Sequence, residues 1–363
     1  MKLTVIGGGG TGAALSADLT IAGHDVALFE LENQPGCLPD IQKAGVIYRE
    51  GKDLQDAVPA PKITFDPRQA VEDAEVIFVA AAAYRHQALC QAIIPYLAPG
   101  QAVCFFSGNC GSLVLREQGA PAGILAGETV GSYATTRYRG NARVFYANPP
   151  VTPKAVAAFP AKDNQAFAAL VNRCYPCVCA PETPVRNVLE AALNSPNIVC
   201  HLLGSLLCTS AMELQTDFHF YRDGISPSVQ KVLEGVERER RAILKQLDYV
   251  ADLYDPIGVI RGCRTYSVTG DPKYEGFILS DGPNGPRHRY IAEDAFAGGP
   301  LLSSLGRTLG VPTPLMDAGV ALASEINGVD YQRQGITLER FGLDGRTPQE
   351  LNWYFEHGFL PTN

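Results

Sequence analysis

A run of glycines directly after the first apolar segment constrains this chain more than any other feature of its sequence. The segment Leu3 to Ile6 is typical of a short strand, and the glycines open a helix predicted over residues 13–22. Gly7, Gly9 and Gly12 fit the pattern GxGxxG. Its glycines permit a tight turn, close approach of a pyrophosphate, and close packing of helix on strand, while the N-terminus of the helix binds phosphate. The sequence therefore predicts a dinucleotide site, formed by Gly7, Gly8, Gly9, Gly10, Thr11 and Gly12.

Strands and helices alternate through the first half of the chain. Strand-like segments occupy residues 3–6, 25–29, 76–80, 102–106, 143–146 and 155–159, with a further one near Cys177, and helical segments occupy residues 13–22, 87–97 and 165–172. This alternation is typical of a parallel sheet with helices on both faces. We predict an α/β fold, with a doubly wound parallel sheet of Rossmann type over residues 1–182 and a mostly α-helical domain over residues 183–363.

Long helical segments dominate the second half. One is predicted over residues 185–212, where Pro196 is the main interruption, and another over residues 227–247, capped by Ser226. The charged residues 237–241 of the second helix are expected to form a solvated surface. A capping box that begins at Thr347 predicts the last helix.

Composition excludes several classes of function. Asp and Glu outnumber Lys and Arg by 38 to 30, giving a net charge of −8 that disfavours binding to nucleic acid. No apolar run approaches the roughly 18 residues of a membrane span, and the start of the chain lacks the apolar core of a signal peptide. We therefore expect a cytoplasmic protein that does not interact with membranes.

A group of cysteines is the main candidate for a metal or redox site. Cys174 and Cys177 form a CxxC, and Cys179 follows closely. A closed zinc site needs four ligands, and the sequence offers no second CxxC and no His pair at ligand spacing. We therefore predict no metal site, and interpret these cysteines as small apolar residues in a buried strand.

The end of the second strand carries a candidate residue for cofactor choice. Glu30 follows Gly12 by 18 residues, and a carboxylate there is expected to accept hydrogen bonds from the adenosine ribose. It would repel a 2′-phosphate, which favours NAD over NADP as cofactor. Glu32 is an alternative candidate, and either residue could instead be a solvated surface group. Ala81 and Ala82, after the strand 76–80, are expected to contact the cofactor.

Four motifs follow one another in the second half. They are NVLE followed by residues 194–201, FYRDGISPSV at 220–229, RYIAED at 289–294 and GVPTP at 310–314. Together, and in register with the first half, they resemble the octopine/nopaline (opine) dehydrogenase family. The resemblance implies an NADH- or NADPH-dependent enzyme that reductively couples the amine of an amino acid to a 2-oxo acid. It also implies that His201 is the catalytic acid/base, Asp294 its carboxylate partner and Arg289 the anchor of a substrate carboxylate, with Asn197 beside His201.

The residues themselves support this chemistry without requiring it. Asn197 and His201 are four positions apart, so they share one face of a helix. An imidazole titrates near neutrality and can both give and take a proton, and a carboxylate on its other nitrogen fixes its tautomer. Arg289 offers a planar fork for a carboxylate, although an ion pair with Glu293 or Asp294 is an alternative role.

Two other functions remain open. A ketopantoate reductase-like or hydroxy-acid dehydrogenase shares the domain order, but such enzymes tend to use a lysine as acid where this chain has His201. A non-catalytic NAD(H)-binding regulator is expected to have lost its acid/base residues, and here His201, Asp294 and Arg289 are all present. The expected partners are small-molecule amino acids and 2-oxo acids, and a homodimer is the expected assembly.

Overall fold

The chain divides into two compact units in the computed structural model. This structure describes residues 1–148, 155–174, 185–251, 253–280 and 282–361. The units are Met1–Ala191 and Ala192–Asn363. The boundary predicted at 182/183 lies outside the described residues and stays a prediction, as does the strand near Cys177.

The first unit contains two sheets and seven helices among its described residues. The strands are β1 (Lys2–Ile6), β2 (Asp25–Phe29), β3 (Val46–Gly51), β4 (Leu54–Pro59), β5 (Lys62–Thr64), β6 (Val76–Val79), β7 (Ala102–Phe105), β8 (Leu125–Thr129), β9 (Thr135–Tyr138), β10 (Arg143–Asn148) and β11 (Val156–Ala158). The helices are α1 (Gly10–Ile21), α2 (Leu38–Ala44), α3 (Pro67–Val71), α4 (His86–Ile93), α5 (Gly111–Glu117), α6 (Asn164–Cys174) and α7 (Val188–Leu193), the last of which ends just past the unit boundary.

The larger sheet has the strand order of a dinucleotide-binding fold. Its strands run β11-β8-β7-β6-β1-β2-β5, and all neighbours are parallel except β11 on β8. The strand order reverses between β1 and β6, so the loops after these two strands lie side by side at the carboxyl edge. Ligands of open α/β sheets bind at such a switch point.

The smaller sheet, which the sequence analysis did not predict, covers helix α1. Its order is β4-β3-β10-β9. Helix α1 contacts both sheets and is buried along most of its length, and most of its residues are small or apolar. Asp18 of α1 is 6 % exposed and accepts hydrogen bonds from Arg49 (2.6 Å), the Tyr133 hydroxyl (2.6 Å) and the Tyr146 hydroxyl (3.2 Å). These partners satisfy the buried carboxylate and tie α1 to the second sheet.

The second unit is mostly helical in its described residues, with connecting loops and one isolated bridge. Its helices are α8 (Asn197–Cys200), α9 (Leu202–Leu206), α10 (Thr209–Leu214), α11 (Pro227–Leu247), α12 (Pro256–Thr269), α13 (Pro272–Ile278), α14 (Arg289–Phe296), α15 (Gly298–Leu309), α16 (Pro314–Asn327), α17 (Tyr331–Gln334) and α18 (Pro348–His357). A π-helical turn, Phe220–Gly224, precedes α11. The predicted fold class, a Rossmann-type sheet followed by a helical domain, is confirmed.

The prediction of one helix over residues 185–212 is wrong, because four short helices replace it. The Leu193 carbonyl, which a continuous helix would pair with the Asn197 N–H, instead accepts a hydrogen bond from Arg240 Nη1 at 3.1 Å. Arg240 also binds the Asn194 side chain at 3.2 Å and is 1 % exposed. Pro196 then starts the next helix without an N–H of its own.

The prediction of a solvated charged face on residues 237–241 holds for Arg238 and Arg241, which are exposed, and is wrong for the other three residues. Glu237 and Arg240 are buried and form a two-pronged ion pair, with both contacts at 2.7 Å. The Glu239 carboxylate is 8 % exposed and accepts the backbone N–H groups of Leu315 and Met316, at the start of α16. Glu237 thus pairs with a buried guanidinium, and Glu239 accepts the free N–H groups of a helix N-terminus. The periodicity of charged residues along the sequence does not reveal partners that come from other parts of the fold.

Several local predictions are confirmed. Ser226 caps α11, whose bounds are those predicted, and Thr347 begins a capping box on α18. Cys174 lies at the end of helix α6, which corrects its assignment to a strand, while Cys177 and Cys179 lie outside the described residues. None of the described helices is both long and apolar enough to cross a membrane.

Candidate active site

The glycine loop leaves an open approach to the start of helix α1. Gly7 has a φ of +140°, and a side chain there would place its Cβ 2.4 Å from the Ala80 carbonyl oxygen. A Cβ on Gly12 would lie 1.9 Å from the Gly7 oxygen. Gly9 is the N-cap residue without a side-chain cap, and the position of its absent Cβ has no atom within 4 Å. This uncapped N-terminus with free space beside it fits the pyrophosphate of a dinucleotide.

Gly8, Gly10 and Thr11 of the loop contact residues from other parts of the first unit. Gly10 packs on β9, where a Cβ would lie 2.9 Å from the Tyr138 nitrogen, and the Thr11 hydroxyl lies 3.4 Å from that of Thr136. The Gly8 N–H donates to Glu30 Oε2 at 2.8 Å, and its carbonyl accepts the Cys37 N–H at 2.9 Å. Both backbone groups of Gly8 are therefore engaged within the protein, which fixes the shape of the loop.

Glu30 lies where the sequence places it, but with a partner that was not anticipated. It follows β2 directly and is fully buried. Arg85 grips both of its carboxylate oxygens at 2.7 Å, and the backbone N–H groups of Gly8 and Leu31 donate to it at 2.8 Å. The expectation of a carboxylate available to the ribose is not met in this conformation, because Arg85 takes that place.

Ala81 and Ala82 lie beside the glycine loop, in the turn after β6. The Ala81 carbonyl accepts a hydrogen bond from His86 Nε2 at 3.0 Å, and the Ala82 carbonyl accepts the Arg85 N–H at 2.9 Å. Burial lowers the pKa of His86 to about 4, and its ring contacts that of Phe105. Neutral His86 thus stabilises this turn through its hydrogen bond to Ala81. Ala81 and Ala82 remain predicted contacts of the cofactor.

A second loop at the same edge was missed by sequence reasoning. Ser107, Asn109 and Cys110 follow β7 and all have positive φ values, between 47° and 67°. Glu128 of β8 accepts hydrogen bonds from the Cys110 and Ser112 backbone N–H groups at 3.0 Å and from the Ser112 hydroxyl. Burial raises the pKa of Glu128 to about 7, against the effect of these donors. Non-glycine residues rarely adopt left-handed conformations, so this turn is strained. The hydrogen bonds to the Glu128 carboxylate stabilise it.

The second unit brings His201 and Asp294 together, as the sequence predicts. His201 lies between α8 and α9 and is 4 % exposed, and its Nδ1 is 3.2 Å from Asp294 Oδ2 on α14. Its Nε2 is 3.2 Å from the Tyr221 hydroxyl, and the Tyr290 ring stacks on the imidazole at a centroid distance of 3.8 Å. The imidazole is therefore fixed at both nitrogens and on one face.

The electrostatics suit proton transfer within this pair. Burial raises the pKa of Asp294 to about 8, and Arg289 opposes this shift. Asp294 is therefore held closer to its neutral form near neutral pH, beside Nδ1 of His201. Burial also raises the pKa of Tyr221, so its hydroxyl keeps its proton and can donate it in a hydrogen bond.

Arg289 and Asn197 are placed less tightly than these groups. Arg289 begins α14, with 39 % of its side chain exposed, and its Nη1 lies 4.0 Å from Glu293. The guanidinium carbon also lies 5.5 Å from the centroid of the Tyr290 ring. Asn197 is one turn before His201, and its backbone carbonyl accepts the His201 N–H at 3.0 Å. The site roles of both residues stay predictions.

Tyr221, Tyr290 and Arg85 are the contacts that the sequence analysis missed. Tyr221 and Tyr290 lie inside two motifs that were identified, FYRDG and RYIAED, so an aromatic residue within each motif was the available signal. Arg85 is 55 positions from Glu30, and only the sheet topology unites them. Within the described part of the chain, no three His, Cys, Asp or Glu side chains are grouped to hold a metal ion.

Comparisons with known proteins agree with this arrangement. Residues 184–327 match the model of the NAD/NADP octopine/nopaline dehydrogenase α-helical domain, and residues 3–114 match that of ketopantoate reductase PanE/ApbA. An opine dehydrogenase of Arthrobacter sp. (strain 1C) is 33 % identical over 353 residues, which cover 94 % of this chain and 95 % of that protein.

Two solved structures share the fold at lower identity. Octopine dehydrogenase in complex with NADH and agmatine has a TM-score of 0.71 at 17 % identity, covering 100 % of this chain and 99 % of its own. Yersinopine dehydrogenase with NADP⁺ bound has a TM-score of 0.64 at 15 % identity, with 98 % of each chain covered. The resemblance seen in the sequence motifs is confirmed, and the chain belongs to the opine dehydrogenase family of NAD/NADP-dependent oxidoreductases.

Proposed function

We propose that this protein joins the amine of an amino acid to a 2-oxo acid by reductive condensation, with NADH or NADPH as reductant. The overall reaction consumes the amine, the oxo acid, the reduced dinucleotide and a proton, and it releases the N-substituted amino acid, the oxidised dinucleotide and water. The observation that carries the proposal is the buried His201–Asp294 pair, in the unit that matches the family's α-helical domain.

His201 handles the protons of this reaction. An amino acid arrives as an ammonium ion and must lose a proton before it attacks the oxo carbon, and the carbonyl oxygen must gain protons to leave as water. With Nδ1–H donating to Asp294, Nε2 is the nitrogen that exchanges protons, and it faces the Tyr221 hydroxyl. Tyr221 would orient that nitrogen and Tyr290 would hold the plane of the ring.

Arg289 supplies a fixed positive charge for the oxo acid. A 2-oxo acid carries its carboxylate next to the reacting carbon, so a guanidinium near the His201–Asp294 pair would orient that carbon as well as bind the substrate. Arg289 is on the same helix as Asp294, five positions earlier. Octopine dehydrogenase structures bound to L-arginine and to pyruvate support the general class of substrate.

The glycine loop would hold the dinucleotide through its pyrophosphate. When bound, the reduced nicotinamide supplies the hydride. Gly9 and the uncapped start of α1 would bind the phosphates, and Ala81 and Ala82 would border the same site. A cytoplasmic location and a homodimer belong to the proposal, and light scattering on the purified protein tests the homodimer.

The deciding experiment follows the loss of NADH absorbance with a panel of 2-oxo acids, each with and without a panel of amino acids. We expect turnover to require both partners. Fast turnover with an oxo acid alone, unaffected by any amine, would identify a 2-oxo acid reductase, the function that the ketopantoate reductase match over residues 3–114 favours. NADH binding without turnover in any combination would indicate a non-catalytic regulator.

A further inference from the structure

The carboxylate of Glu30, at the end of β2, accepts all of its hydrogen bonds from groups within the protein. Each oxygen of Glu30 accepts one backbone N–H and one guanidinium N–H, at 2.7–2.8 Å. An ionised carboxylate offers about four acceptor positions, so these bonds fill its capacity. Glu30 is fully buried, whereas the Arg85 side chain is 19 % exposed. Arg85 therefore presents the pair to solvent, and Glu30 lies beneath it.

The position of this pair makes it relevant to a bound dinucleotide. Glu30 follows β2 and Arg85 follows β6, and these strands flank β1 on its two sides. The Gly7 N–H donates to the Phe29 carbonyl and the Gly8 N–H to Glu30, so the pair adjoins the base of the glycine loop. In such folds the adenosine ribose lies at the end of the second strand, where a carboxylate receives its 2′-hydroxyl or a nearby arginine receives a 2′-phosphate.

The ion pair with Arg85 removes the reason to expect that Glu30 excludes NADPH. A lone carboxylate repels a 2′-phosphate, but a carboxylate neutralised by a two-pronged guanidinium does so far less. The ion pair with Glu30 uses one N–H from each Nη of Arg85, and a guanidinium has five N–H groups in all. Three of them remain to bind a phosphate while Arg85 stays on Glu30.

We propose that the Glu30–Arg85 pair acts as one unit that lets this protein bind NADPH as well as NADH, with Arg85 as the group that receives the 2′-phosphate. This inference rests on the proposed function only in placing the adenosine ribose at the end of β2. The unmodified protein then binds NADPH with a dissociation constant within about tenfold of that for NADH.

The test measures the ratio of the NADPH to the NADH dissociation constant by calorimetric titration, without substrates. In Arg85→Gln, the uncompensated Glu30 carboxylate repels the phosphate, and we expect the ratio to rise at least about tenfold. In Glu30→Gln, the Gln oxygen can still accept the Gly8 N–H while Arg85 keeps its full charge, and the ratio should fall about fivefold or more. The double variant should lie between the two.

Two features keep this test decisive even where a variant is destabilised. A partly unfolded sample lowers the apparent affinity for both dinucleotides equally, so the ratio is unaffected. Arg68→Gln is the matched control, because it removes an exposed arginine from its pair with Glu72 in the same unit and should change the ratio by less than about twofold. If both test variants shift the ratio in one direction, or neither shifts it beyond that control, the inference is wrong. If the unmodified protein binds neither dinucleotide, the proposed function fails as well.

Discussion

His201 meets a different group on each side of its ring. Asp294 faces Nδ1, the Tyr221 hydroxyl faces Nε2, and Tyr290 stacks on the plane. A carboxylate on Nδ1 selects the tautomer that leaves Nε2 free of its own proton, so the Tyr221 hydroxyl can donate to that nitrogen. In the proposed function, proton exchange takes place at Nε2 and the other contacts orient the ring.

Replacing His201 should abolish proton transfer while sparing the cofactor. We expect His201→Ala to lower kcat by roughly 10²–10⁴-fold, the usual contribution of a general acid/base. NADH affinity should be unchanged, because the glycine loop belongs to the other unit. Steady-state kinetics and calorimetric titration measure the two effects. His219→Ala, which removes a histidine outside the pair, should retain most of the activity, and equal losses in both variants would argue against this role for His201.

Replacing Arg289 should act mainly on the binding of the oxo acid. We expect Arg289→Ala to raise KM for the 2-oxo acid by about tenfold or more, with a smaller fall in kcat from misplaced substrate. Arg287→Ala is the control, since Arg287 is exposed and lies just before helix α14. Initial rates over a range of oxo acid concentrations separate the two parameters. An unchanged KM in Arg289→Ala would reassign this arginine to its structural pairing with Glu293.

The candidate site residues differ in the kind of sequence signal that predicts them. The glycine loop could be predicted directly, because a local pattern fixes a local turn. His201, Asp294 and Arg289 could be predicted only through family resemblance, since 93 positions separate His201 from Asp294. Neither the local pattern nor the family resemblance predicted the contact between Arg85 and Glu30. Glu30 alone suggested a free carboxylate, whereas the order of strands in the sheet places Arg85 next to it.

Among the larger elements, the loops at the carboxyl edge of the sheet depend on two buried titratable groups. Glu128 holds the strained turn after β7, and His86 holds the turn after β6. Burial shifts the pKa of Glu128 up to about 7 and that of His86 down to about 4. Each group is thereby kept closer to its neutral form, as expected for a site with little access to water.

These two shifts have opposite consequences for stability. Folded Glu128 keeps its proton up to about pH 7, whereas in the unfolded chain it loses that proton near pH 4.5, so its contribution to stability falls as pH rises between those values. Folded His86 stays neutral down to about pH 4, whereas in the unfolded chain it gains a proton below about pH 6.5, so its contribution falls as pH drops through that range. Each effect amounts to about 3 kcal/mol at most, and the two oppose each other in the unmodified protein, where the raised pKa of Asp294 contributes as well.

Single variants should separate the two effects. Relative to the unmodified protein, we expect the stability of Glu128→Gln to rise with pH between about 4.5 and 7, because the loss of stability that Glu128 causes over that range is removed. Relative to the unmodified protein, the stability of His86→Gln should fall as pH rises between about 4 and 6.5, because the gain that His86 causes over that range is removed. Urea denaturation followed by circular dichroism, at half-unit steps of pH, measures both slopes. Parallel pH profiles for the two variants would contradict the assignment of these shifts.

Two of the features that sequence reasoning missed have an identifiable physical cause. The strands β3 and β4 each bury a single residue, Ile47 and Val58, so their apolar pattern is too weak to indicate strands. The break before Pro196 depends on a guanidinium from another helix, which periodicity does not reveal. By contrast, Ser226 and Thr347 act on their own helices, and both caps could be predicted from the sequence.

At the scale of the whole molecule, the two proposed roles belong to different units. The groups proposed to choose the cofactor, Glu30 and Arg85, lie in the first unit, and the pair proposed to transfer protons, His201 and Asp294, lies in the second. Free-energy effects of substitutions that share no partners usually add. Cofactor selectivity and proton transfer should therefore respond to substitution independently.

The variant Glu30→Gln/His201→Ala tests this independence. Glu30→Gln alone should shift the NADPH to NADH affinity ratio while lowering kcat with the better-bound cofactor by less than about threefold, since it leaves the proton-transfer groups intact. The double variant should combine that shift in affinity ratio with the loss of kcat of His201→Ala, each within about twofold of its value in the single variant. Calorimetric titration and initial rates on all four proteins supply the cycle. A substantially larger or smaller loss of kcat in the double variant would mean that the Glu30–Arg85 pair also influences the position of the reacting groups, and the pair would then have to be treated as part of the catalytic machinery.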